Sequence, residues 1–136
     1  MTTTKQSAYD YIGGDAVIRR LVDCFYDYMD RLPEVATLRA MHPADLAESR
    51  DKLYWFMSGW LGGPQLFMER RGHPRLRARH LPFAVDAAAR DAWMLCMRKA
   101  IADVITIPDA NEYLIEPLAR LADHMRNQPE PTEPTA

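Results

Sequence analysis

Residues 62–83, GGPQLFMERRGHPRLRARHLPF, limit what this chain can fold into more than any other stretch. They hold five arginines, two histidines and three prolines. Pro64, Pro74 and Pro82 each remove a backbone donor and push the preceding residue away from the α region. Any helix here must be short. His80 is therefore expected at the end of a brief helical turn, with Leu76 and Phe83 offering apolar contact and Arg77 and Arg79 offering cations to something anionic.

A neutral imidazole in an apolar setting, flanked by guanidinium groups, suits ligation of a haem iron with neutralisation of its propionates. The same residues equally suit a surface histidine or a helix C-cap beside a solvated arginine face. His73, just before Pro74, reads as structural or exposed rather than as a ligand.

The rest of the chain sets the frame for that choice. At 136 residues it fits one domain with a single core. Its 48% apolar and 26% charged residues are ordinary for a soluble globule. A net charge of −2 gives no reason to expect nonspecific nucleic-acid binding. Cys24 and Cys96 share no metal or redox spacing, nothing resembles a secretory signal, and no apolar run is long enough to span a bilayer. A reduced, cytoplasmic protein without membrane or nucleic-acid partners is expected.

Three portions follow in order: a polar, threonine-rich extension over 1–8, a folded domain over 9–127, and a proline-rich tail over 128–136 that cannot bury a core. Within the domain, Asp15 is available as an N-cap. From 16 to 30, Val17, Ile18, Leu21, Val22, Phe25, Tyr28 and Met29 recur at helical steps, with Tyr26 just off the stripe. Pro33 suits a first helical position, and His42, before Pro43, belongs at a chain corner. Residues 45–61 carry Leu46, Leu53, Phe56, Met57 and Trp60 at helical spacing, and Gly62 and Gly63 stop that helix. Asp86 can cap a long helix to about 105, whose inward face holds Trp93, Met97 and Val104. Asp109 with Glu112 suggests a capping box for a last helix striped by Leu114, Leu118, Leu121 and Met125, in which Pro117 must force a kink or a restart. Periodicity supports an all-α domain with no alternating strand.

The order GGP, RGHPRLRARHLPF and DAWMLCM, read across residues 9–124, resembles the second group of truncated haemoglobins. The resemblance implies a two-over-two helical sandwich around haem b. The helices near Val22 and Leu53 would face those near Trp93 and Leu118. It implies that His80 is the proximal iron ligand and that Leu76, Phe83 and Met97 belong to the cofactor's surroundings. On the distal side it implies Trp93 over the haem face and Tyr26, of the Phe25–Tyr26 pair, donating to the bound ligand. His42 matches the distal corner, Ser49 stands where many globins keep a distal histidine, and Leu53 and Phe56 line the pocket. Phe67 departs from the pattern, because the group commonly has a propionate-binding tyrosine there. Arg77 and Arg79 would then carry more of that contact.

The implied function is binding of oxygen and other small ligands (CO, NO, peroxide, sulfide), with distal hydrogen bonds giving slow oxygen release. A redox enzyme of the peroxidase or NO dioxygenase kind, served by an unidentified reductase, would use the same pocket. A helical interaction module without haem, binding acidic partners through residues 70–79, is the reading from outside haem chemistry.

Overall fold

The computed structural model describes residues 7–127, so the expected tail and the first six residues of the expected extension lie outside the described residues. Among the described residues there is no β-strand. The α-helices are α1 (Ala8–Ile12), α2 (Asp15–Arg31), α3 (Ala36–Ala40), α4 (Ala47–Trp60), α5 (Leu66–Arg71), α6 (Leu76–His80), α7 (Ala87–Val104) and α8 (Glu116–His124). No described helix is long and apolar enough to cross a membrane.

The apolar spacing of α2 becomes burial: Ile18, Leu21, Val22, Phe25 and Met29 are enclosed on one face. Each such side chain contributes about 1.5–3 kcal/mol on leaving water. That face packs along α7 and against α4, while α8 closes on α7. The result is the expected sandwich, α2 and α4 over α7 and α8, with Phe25, Met57, Met97, Leu114 and Leu118 in its centre.

Helix ends follow the sequence in some places and depart from it in others. Asp86 caps α7 as expected, its side chain accepting from the Ala89 N–H at 2.8 Å. Asp15 does not cap α2. Gly14 holds that position, and the Asp15 carboxylate accepts instead from the Tyr54 hydroxyl. The Asp109 capping box is also absent, because the Tyr11 hydroxyl donates to Asp109 at 2.6 Å. Ahead of α8 lies a π turn, Asn111–Ile115, after which Pro117 falls in the first turn of a new helix. There its missing N–H breaks no helical bond. After α4, Gly62 takes φ +93°, whereas Gly63 is required for closeness: a Cβ on it would lie 2.2 Å from the Tyr9 ring.

Candidate functional site

α6 is a single short helix between Pro74 and Pro82, entered through Arg75 in the left-handed region (φ 46°). His80 ends it, half-buried, with Nδ1 2.6 Å from the Leu76 carbonyl oxygen. A carbonyl only accepts, so Nδ1 carries the proton and Nε2 keeps a lone pair directed away from α6. Such a fixed tautomer is what a metal-ligating histidine requires.

The wall around His80 is apolar yet does not join the main core. Phe67, Leu76, Leu81 and Phe83 stand outside it, Leu81 being 57% and Phe83 45% exposed. Helix α6 makes no extensive contact with any other described helix. Arg79 donates through Nε to the Pro74 carbonyl at 2.6 Å and lays its guanidinium over the Phe67 ring, 5.2 Å from the centroid. Arg77 lies on α6, but its side chain is outside the described structure. His73 is exposed and accepts from the Arg75 N–H, in keeping with a structural role.

The second wall comes from α2, α4, α7 and the corner at His42. Phe25 joins its members: its ring lies 4.9 Å from that of Tyr26 and 5.0 Å from that of Trp93. The Tyr26 hydroxyl and the Trp93 indole N–H donate to no group among the described residues. Tyr26 is nevertheless buried, which raises its pKa and keeps it a protonated donor, with the nearby Arg50 charge opposing the shift. Arg50 stands 5.8 Å from the Tyr26 ring centroid and is held by Asp23 and Asp27 at 3.2 and 2.8 Å.

His42 ends in a chain corner, as its place before Pro43 requires. Its Nδ1 bonds the Leu38 carbonyl at 2.9 Å, leaving Nε2 free. Arg39 fixes that corner by donating to the Pro43 and Ala44 carbonyls, both at 2.9 Å, and to Asp30 at 2.6 Å. Burial lowers the His42 pKa, the Leu38 carbonyl opposes this, and the charges of Arg39 and His80 lower it further.

Ser49, Leu53 and Phe56 share a face of α4, all half-buried. Phe25 and Met97, in contrast, are wholly enclosed by protein. Phe25 packs between the Tyr26 and Trp93 rings, and Met97 lies among the buried core side chains. Arg39 and Arg50 escaped the sequence reading, since each acts through partners from another turn or helix.

A short all-helical sandwich, with a histidine whose Nδ1 is held by a backbone carbonyl and an aromatic cluster bearing two donors without a partner among the described residues, suits the class of small globins. The chain belongs to the bacterial-like globin family, whose pattern matches residues 7–127. A group 2 truncated hemoglobin of Bacillus subtilis is 40% identical over 117 residues, covering 86% of each chain. The group II 2-on-2 hemoglobin of Agrobacterium tumefaciens superposes with a TM-score of 0.89 at 45% identity, covering 95% of this chain and 100% of that one. A structure described as a truncated oxygen-avid haemoglobin from Bacillus subtilis gives a TM-score of 0.81 at 38% identity, covering 90% and 100%.

Globin membership implies haem and the binding of small gaseous ligands. The residues fit that group. His80 offers an imidazole nitrogen with its tautomer fixed, and the apolar side chains beside it, left uncovered by the core, suit a porphyrin face. The family also weighs against the interaction module without haem.

Proposed function

We propose that this chain holds haem b through His80 Nε2, binds dioxygen and other small ligands on the Tyr26 side, and releases oxygen slowly. The observation that carries the reading is the pair of donors, Tyr26 and Trp93, flanking Phe25 with no acceptor among the described residues. Haem supplies a ferrous iron that takes a diatomic ligand and shifts negative charge onto dioxygen. The chain's own groups answer that charge. Tyr26 donates an O–H that burial keeps protonated, Trp93 donates an indole N–H, and His42 stands against Tyr26 as a further donor or proton store. A hydrogen bond to a charged acceptor is worth about 1.5–3 kcal/mol, and about 1.4 kcal/mol is tenfold in an equilibrium constant. Two such donors slow oxygen release by orders of magnitude, while carbon monoxide, which gains little charge, benefits less.

Leu76, Leu81 and Phe83 would bound the porphyrin beside His80, and Leu53 and Phe56 the ligand side. Ser49, being small, would leave the entrance open. Arg79, with Arg77, would meet the propionates in place of the hydroxyl that Phe67 lacks. The peroxidase reading is disfavoured because His80 leans on a neutral carbonyl and not on a carboxylate, so the ring is less electron-donating. The oxygen-avid description of the Bacillus subtilis structure supports the same direction.

The test is oxygen dissociation by carbon monoxide displacement in stopped flow, comparing the native chain with the Tyr26→Phe, Trp93→Phe double variant. The native rate should be slower by a factor of about 10 to 100 or more. Equal rates would remove the donors from the mechanism, and a purified native protein without a Soret band would remove haem.

A further inference from the structure

Asn127, three residues beyond α8, is tied to the loop that follows His80. Its amide nitrogen donates to the His80 carbonyl at 3.0 Å and to the Phe83 carbonyl at 2.8 Å. Its Oδ1 accepts from the Val85 N–H at 2.9 Å, and its own N–H donates to the Val85 carbonyl at 2.9 Å. One side chain and one backbone group thus bridge both ends and the middle of the 80–85 loop. The Leu81 N–H donates to the Ala78 carbonyl at 3.3 Å and the Phe83 N–H to the His80 carbonyl at 3.0 Å, both local turn bonds, while Leu81, Pro82, Phe83 and Ala84 are exposed and Pro82 has no N–H. Helix α6 itself lacks extensive packing against the other helices.

We propose that Asn127 is a positioning residue that sets the height and tilt at which His80 Nε2 meets the haem iron. The imidazole is fixed at two points. Within α6, Nδ1 is held by the Leu76 carbonyl; from outside, the His80 carbonyl is held by Asn127. Freed from the second, the ring keeps its tautomer but loses its reference to the rest of the fold. An asparagine suits the task because one planar amide supplies two donor hydrogens and an acceptor. An aspartate of the same shape keeps the acceptor for Val85 but turns a charged oxygen towards two carbonyls. This inference rests on His80 being the proximal ligand.

The full-length, haem-loaded protein is compared with Asn127→Asp and Asn127→Ala, the isosteric aspartate keeping the test available if the alanine variant fails to fold. In the ferrous, unligated state, the iron–histidine stretching band in resonance Raman should move and broaden in each folded variant. Haem transfer to a scavenger should quicken about tenfold, as loss of a partner outside the ligand sphere commonly does. A purely structural role would lower the melting temperature and leave the band in place, and that outcome overturns the proposal. A second arm uses His80→Gly loaded with free imidazole, whose ring is not tethered to the loop. Adding Asn127→Asp there should leave the band still, and a shift as large as with His80 present would sink the proposal. A native protein with no iron–histidine band at all removes the ligand assignment itself. A native band indifferent to Asn127 removes only the positioning role.

Discussion

The imidazole of His42 meets the ring of Tyr26 edge-on, with centroids 6.1 Å apart and planes at 73°. This places the titratable group of the corner against the hydroxyl-bearing ring of α2, so its charge state bears on the proposed ligand side. Burial, together with the charges of Arg39 and His80, lowers the His42 pKa from 6.5, although the Leu38 carbonyl opposes the shift.

The sign of the pH effect follows. Above about 6.5 the ring is neutral both folded and unfolded, so its contribution to stability is complete. As pH falls below that value the unfolded chain takes the proton first, and stability is lost until the pH passes the lowered folded value. Denaturant midpoints at pH 7.5 and pH 5 should therefore differ more for the native protein than for His42→Phe. Equal pH dependence in the two would place the ring in solvent.

His80→Ala removes the only nitrogen on α6 proposed to reach iron. The variant should lose most of its haem during gel filtration, or keep it without a proximal-histidine signature in the ferrous spectrum. Second-sphere losses alone cost about 10–100-fold in metal affinity, and loss of the ligand should exceed that. An unaltered native-like spectrum would refute the assignment.

Arg79 stacks on Phe67 and reaches the surface beside His80. Replacing it by alanine removes both the proposed propionate contact and a cation–π contact worth about 0.5–1 kcal/mol at an exposed site. Haem loss should quicken several-fold in Arg79→Ala and be restored in part by Arg79→Lys, which returns charge without the planar group. If the rates of all three proteins coincide, the propionates are held elsewhere.

The frame can be probed apart from the haem. Asp86→Ala deletes the cap of α7 and should cost about 1 kcal/mol in chemical denaturation. Gly63→Ala drives a methyl into the Tyr9 ring and should cost about 1–3 kcal/mol through overpacking. No loss in the second case would mean that Tyr9 swings aside freely.

Local patterns disclosed much of the fold because helices α2, α4 and α7 bury faces set by residue spacing alone. They also disclosed the Asp86 cap, whose partner is three residues away. The Asp15 and Asp109 caps failed for one shared reason: tyrosine hydroxyls distant in sequence, Tyr54 and Tyr11, take those carboxylates. Competition of that kind has no local signature. Tyr26 sits off the apolar stripe, yet is buried because His42 from the corner and Arg50 from α4 converge on it beside its neighbour Phe25. Spacing marked Phe25 and Met97 as inward-facing, but not that other side chains would enclose them completely. Asn127 was invisible for the same physical reason as Tyr54, since its partners precede it by 42 to 47 positions.

The wide π turn at Asn111–Ile115 gives α8 a rotational phase that an unbroken α-helix would not have. Deleting one residue from it would restore ordinary pitch and turn everything downstream by about 100°. Leu118 would swing out of register with α7, and the asparagine beyond the helix would leave the His80 loop. A length change of one residue, far from the haem in sequence, is thereby geared to the metal.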